Sequence, residues 1–122
     1  MSTRKTPAVK LSGGRFTIEG RSIPENPRAF YLPLHDWMLE KFGAVEGRPL
    51  IEFGFEYINT ASAKWIFLIL KELSSAGKEF QLVWYYEKGD EDMLELGLML
   101  RNLIGCHFSA IEVDEIQNFR KI

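Results

Sequence analysis

The chain predicts an α/β fold, a single domain on a mixed sheet of about five strands, with an N-terminal β-hairpin joined to a parallel βαβαβ run and three main helices. Three observations predict it. Val9 and Leu11, then Phe16 and Ile18, form two short alternating runs around Gly13-Gly14, a hairpin pattern with a glycine turn. From Leu50 onward, strand-period and helix-period segments alternate in the order strand, helix, strand, helix, strand, which calls for right-handed crossovers and parallel pairing. A length of 122 residues, 46% hydrophobic and 26% charged, supports one buried core and leaves no room for a second.

Residues 1–6 are polar and are expected to be a flexible N-terminus, leaving 7–122 as the domain. After the hairpin, Ser22-Ile23-Pro24-Glu25-Asn26-Pro27 reads as a shaped loop leading into a helix start. Phe30, Leu34, Trp37, Met38 and Phe42 then recur at helical spacing, and Gly43 is placed to cap that helix. Pro33 lies inside the pattern, where a missing N–H predicts a kink or a delayed regular start.

Residues 50 to 58 put Ile51, Phe53, Phe55 and Tyr57 on one face of a strand and Glu52, Gly54 and Glu56 on the other. Residues 63 to 73 are apolar almost all round, with Lys64, Lys71 and Glu72 as a narrow wet stripe, so this helix is expected to be largely covered and to end at Ala76-Gly77. Residues 80 to 86 are the next strand, 90 to 104 the next helix and 108 to 113 the last strand.

Several function classes are disfavoured. Net charge is −2 with basic and acidic residues interspersed, which gives no electrostatic footprint for nucleic acid or an anionic membrane. Nothing approaches a membrane-spanning apolar run, so no membrane insertion is expected. The N-terminus lacks an apolar signal-like region and Cys106 is the only cysteine, which suits a reducing cytoplasm. Gly13-Gly14 precedes a strand, whereas a phosphate-binding glycine loop precedes a helix. Cys106 and His107 are sequence neighbours that a strand points to opposite sides, and no Cys/His spacing suits a metal, so neither cofactor nor metal is expected. Asp90, Glu91, Asp92 and Glu95 are explained by a helix start whose dipole favours acidic residues. Trp84-Tyr85-Tyr86 reads as a strand with alternate rings in the core.

The segment Tyr57-Ile58-Asn59-Thr60-Ala61-Ser62-Ala63-Lys64 carries more information. An apolar strand runs through Asn59-Thr60 into a helix, placing a hydroxyl where unpaired N–H groups and the positive dipole end would hold a phosphate. Taken alone, the segment is explained by Asn59 or Thr60 serving as an N-cap.

Read together, Thr6-Pro7-Ala8-Val9, Gly20-Arg21-Ser22-Ile23-Pro24-Glu25-Asn26, Phe30-Tyr31-Leu32-Pro33-Leu34 with Trp37, Asn59-Thr60-Ala61-Ser62-Ala63-Lys64 and Trp84-Tyr85-Tyr86 closely resemble the SiaC family of small bacterial regulatory phosphoproteins. The resemblance runs from about Thr6 to about Phe108 in order and spacing, and the Ser-Ile-Pro-Glu-Asn and Asn-Thr-x-Ser-x-Lys blocks are specific in combination. It implies a fold similar to STAS-like anti-sigma factor antagonists. It also implies that Thr60 is phosphorylated by a dedicated Ser/Thr protein kinase and released by a PP2C-type phosphatase, the unphosphorylated form binding and activating a diguanylate cyclase. Family members usually carry Ser directly after that Thr; Ala61 stands here, which makes Thr60 the first candidate acceptor and Ser62 the second.

On this reading the phosphate would be supported by Asn59, by the N–H groups near Ser62 and Ala63, and by Lys64 one helical turn away. Ser22, Pro24, Glu25 and Asn26 form a second candidate partner surface, or equally a structural turn with Glu25 and Asn26 capping the first helix. The rival functions are a partner-switching protein of sigma-factor control, and a small enzyme acting through Glu25 and Asp36 or the acidic cluster.

Overall fold

A computed structural model describes residues 5–116. Its elements run β1 (Ala8–Ser12), β2 (Arg15–Ser22), α1 (Pro27–Ala44), β3 (Leu50–Ile58), α2 (Thr60–Ser75), β4 (Gln81–Glu87), α3 (Glu91–Ile104) and β5 (His107–Val113). Among the described residues they build a five-stranded sheet in the order β1-β2-β3-β4-β5. The β1/β2 hairpin is antiparallel and the other three pairs are parallel, each bridged by one helix. Residues 1–4 of the expected flexible start lie outside the described residues. The Lys5 carbonyl accepts the Ile23 N–H at 2.8 Å, which ties the chain to the loop after β2.

The three helices share one face of the sheet. Phe16 and Ile18 of β2, Ile51, Phe53 and Phe55 of β3, and Leu82 and Trp84 of β4 form one core cluster with Tyr31 and Met38 of α1, Ile66 and Leu70 of α2, and Met93 and Leu100 of α3. Apolar burial at this scale is the main favourable term in the fold. Gly97 lets α3 approach closely: a Cβ there would stand 2.5 Å from the Trp84 indole, whose Nε1–H donates to the Met93 carbonyl at 2.9 Å. Trp84 is therefore a core ring, as the alternation of the strand requires.

The opposite face carries a smaller cluster of Val83, Tyr85, Val113 and Ile116. Glu52, expected on the wet side of β3, is only 3% exposed. Arg15 Nε pairs with one of its carboxylate oxygens, and the Tyr85 hydroxyl donates to the other at 2.8 Å. Burial and the neighbouring Glu52 carboxylate push the Tyr85 phenol up to about 12. Tyr57, expected on the core side, is 49% exposed. A register shift at Gly20/Arg21 sets Phe55 opposite Gly20 but Tyr57 opposite Arg21, so the alternation breaks there.

Helix α1 opens with Asn26 as N-cap and Pro27 in its first turn, and it runs on through Pro33 without ending or starting late. It also passes the expected glycine cap at Gly43 and closes at Val45. The C-terminal carbonyls are capped by a cation instead: Lys78 Nζ donates to the Phe42 carbonyl at 3.2 Å and also to that of Val45. Helix α2 is less covered than its composition suggests. Ser62, Ile66, Ile69, Leu70 and Leu73 are buried, but Leu68 remains 49% exposed. Helix α3 begins at the Asp90 cap, with Glu91 and Asp92 in its first turn, and ends at the left-handed Gly105 (φ 72°), as a glycine C-cap permits.

Candidate functional site

The candidate site lies where the parallel strands end. Ser22 of β2 pairs with Ile58 of β3, so the loop after β2 and the start of α2 emerge side by side. The Asn59 N–H donates to the Ser22 carbonyl at 3.0 Å, fixing the strand-to-helix elbow. Asn59 then caps α2, its Oδ1 accepting the Ser62 N–H at 2.9 Å and its carbonyl accepting the Ala63 N–H at 3.0 Å. Thr60 is the first helical residue and is exposed. Because Asn59 does the capping, the Thr60 hydroxyl has no role in closing the helix.

The same geometry corrects one expectation. The N–H groups of Ser62 and Ala63 are already taken by Asn59, so the groups left without intrahelical acceptors at this end are the N–H groups of Thr60 and Ala61 themselves. Lys64 is exposed one turn further along. Ser62 is fully buried, and its hydroxyl donates to the Ser22 carbonyl at 3.3 Å while accepting from Ser22 Oγ at 2.9 Å. The second candidate acceptor is thus closed to any modifying enzyme in this conformation.

Of the second candidate surface, Ser22 and Pro24 are buried while Glu25 and Asn26 are exposed. Ser22 Oγ also bonds the Tyr31 hydroxyl, and burial pushes that phenol up despite the two serine contacts. Asn26 Oδ1 accepts the Ala29 N–H at 3.3 Å, so it is the cap of α1; Glu25 pairs with Lys5, which holds its carboxyl below the usual range. Asp36 sits against the His35 imidazole at 2.9 Å, and His35 reaches Glu72 of α2 with its other nitrogen. Glu25 and Asp36 therefore have separate partners. Cys106 is half-buried, and burial raises its thiol, the opposite of an activated nucleophile. Among the described residues no group of three His, Cys, Asp or Glu side chains could hold a metal ion.

Sequence reasoning missed a groove between α2 and α3. About 410 Å³ in volume, it is walled by Ala63, Lys64 and Phe67 on one side and Leu96, Met99 and Leu103 on the other, and it reaches Asn59 and Thr60. Met99 is 50% and Leu103 56% exposed. The available signal was the excess of apolar residues on both helices over what one buried stripe needs.

Residues 1–113 match the family described as SiaC family regulatory phosphoprotein. The chain belongs to the SiaC family. An uncharacterized protein of Pseudomonas aeruginosa (strain UCBPP-PA14) is 32% identical over 119 residues, covering 93% of this chain and 94% of the relative. A crystal structure of diguanylate cyclase SiaD in complex with its activator SiaC from Pseudomonas aeruginosa contains a chain similar to this one at TM-score 0.78 and 28% identity, over 92% of this chain and 96% of that one. Apo-SiaC from the same organism matches at TM-score 0.73 and 28% identity, over 90% and 93% of the two chains. The five-stranded mixed sheet with three helices is the SiaC architecture. Among the described residues no helix is long and apolar enough to cross a membrane.

Proposed function

We propose that the chain is a non-enzymatic cytoplasmic regulator whose Thr60 is reversibly phosphorylated and whose unmodified form binds and regulates a diguanylate cyclase. The observation that carries this reading is the division of labour at the start of α2: Asn59 supplies the cap, Ser62 is sealed inside, and Thr60 alone of the three presents an unused hydroxyl at the surface. Membership of a family of regulatory phosphoproteins, and a family relative that activates a diguanylate cyclase, support the output.

The switch follows from charge and solvation. A Ser/Thr kinase adds about −1.5 to −2 charges at Thr60, where the Thr60 and Ala61 N–H groups, the helix dipole and Lys64 stabilise the dianion. A partner packed over this helix start would have to bury that hydrated group, at a cost of several kcal/mol. A PP2C-type phosphatase restores the binding form. The test is tandem mass spectrometry of the chain after incubation with a Ser/Thr kinase from the same cells. One phosphate on Thr60, absent in Thr60→Ala, is expected; a phosphate confined to another residue overturns the assignment.

A further inference from the structure

The sheet has two edges, and they are protected unequally. Strand β1 is five residues long, follows Pro7 and carries Lys10 at its centre, three features that discourage the addition of another strand. Strand β5 ends the sheet on the other side among the described residues, with seven residues that include neither proline nor lysine, and of the seven only Val113 is buried. The described chain after β5 turns inward, away from this edge. The Ile116 N–H donates to Glu87 Oε2 at 3.0 Å, and the Ile116 side chain is buried with Val83 and Tyr85. An open edge of this length is a template for one more strand.

We propose that β5 of a second copy of the chain supplies that strand, the two copies joining edge to edge about a two-fold axis at Ala110 into one continuous sheet. The antiparallel register that pairs all seven residues is centred on Ala110. It sets Glu112, the one acidic residue of the strand, opposite Phe108 and sets His107 opposite Val113, so no like charges face each other. The helix layer fits the same axis. A Cβ on Gly97 would touch the Trp84 indole and Trp84 pairs with Ala110, so the middle of α3 stands level with the axis. Leu96, Met99 and Leu103 line the groove toward α2, which leaves half-buried Leu94 and Leu98 and exposed Arg101 on the flank toward β5. Because α3 packs on both β4 and β5, strand spacing alone sets two such helices about 10 Å apart across the axis, the separation of packed helices. That pair is antiparallel and centred on Leu98. Glu95 and Arg101 lie three residues to either side of Leu98, so each meets the opposite charge of the other copy. The contact uses the flank of α3 turned from the groove that reaches Thr60, so it goes beyond the phosphorylation switch and does not depend on it.

The test is sedimentation velocity of the full chain over a wide concentration range. An interface of one strand pair and one helix pair falls at the small end of stable contacts, so the average mass is expected to approach twice that of the monomer over about 10–100 µM. Ala110→Lys, at an exposed position, brings two ammonium groups together on the axis and should weaken dimerisation at least about tenfold. Leu98→Glu should do the same from the helix layer, with circular dichroism confirming that each variant is folded. Glu95→Arg and Arg101→Glu should each weaken the dimer about threefold and restore it when combined. In a Cys106→Ala background, Ala110→Cys should form an intermolecular disulfide on mild oxidation, whereas His107→Cys, whose mate lies about 20 Å away along the strands, should not. A chain that stays monomeric throughout, a dimer indifferent to Ala110→Lys and Leu98→Glu, or equal cross-linking at both positions would overturn the proposal. So would protection of the β5 amides from hydrogen exchange only on adding a diguanylate cyclase, which would give the edge to a different protein.

Discussion

Ser22 Oγ donates to Ser62 Oγ across 2.9 Å in the protein interior, joining the end of β2 to the first turn of α2. The Tyr31 hydroxyl completes the set, so the order of donation runs from Tyr31 to Ser22 to Ser62 and back to the Ser22 carbonyl. Two sequence blocks forty residues apart thereby become one rigid elbow. Ser62→Ala should cost about 1–2 kcal/mol in urea unfolding, because Ser22 keeps Tyr31 as a partner, and should leave phosphorylation at Thr60 intact.

Asn59 and Thr60 should separate cleanly by stability. Asn59→Ala removes the acceptor for the Ser62 N–H and should cost about 0.5–2 kcal/mol, whereas Thr60→Ala should stay within about 0.5 kcal/mol of wild type. Chemical denaturation of the two variants side by side checks this, and a larger loss in Thr60→Ala would make Thr60 a structural cap.

Gly97→Ala should destabilise the protein although alanine is the better helix former. The added methyl meets the Trp84 indole at 2.5 Å, and overpacking of about 1–3 kcal/mol outweighs a propensity gain of about 1 kcal/mol. Thermal unfolding followed by tryptophan fluorescence reads both the loss and the displaced ring.

How much of this was legible follows from what each feature depends on. The order of strands and helices rests on local periodicity, so the hairpin, the parallel units and the acidic start of α3 could be read directly. The burial of Glu52 depends on Arg15, thirty-seven residues away, and on strand register, which composition does not encode. Tyr57 was misplaced because a single register shift turns every following side chain over. Ser62 reads as a free hydroxyl until Ser22 arrives beside it. Gly43 misleads for a similar reason: the end of α1 is set by Lys78, from the loop after α2.

His35 should make the α1–α2 contact sensitive to pH. Asp36 first, and then Glu72, raise the imidazole above its ordinary 6.5 despite some opposing burial. A raised folded value means the contribution is complete below about pH 6.5 and is lost as pH rises through the folded value. The stability difference between wild type and His35→Gln should therefore be larger at about pH 5.5 than at about pH 8.5. A difference that does not vary with pH would remove the ion pairs from the account.

The central claim concerns one side chain and one charge change. Titration calorimetry of a diguanylate cyclase from the same organism into the unmodified chain and into chain carrying phosphothreonine at position 60 tests it most directly. Tight binding to the first and at least about a hundredfold weaker binding to the second is predicted, the equivalent of about 2.7 kcal/mol. Equal affinity for the two forms would contradict it.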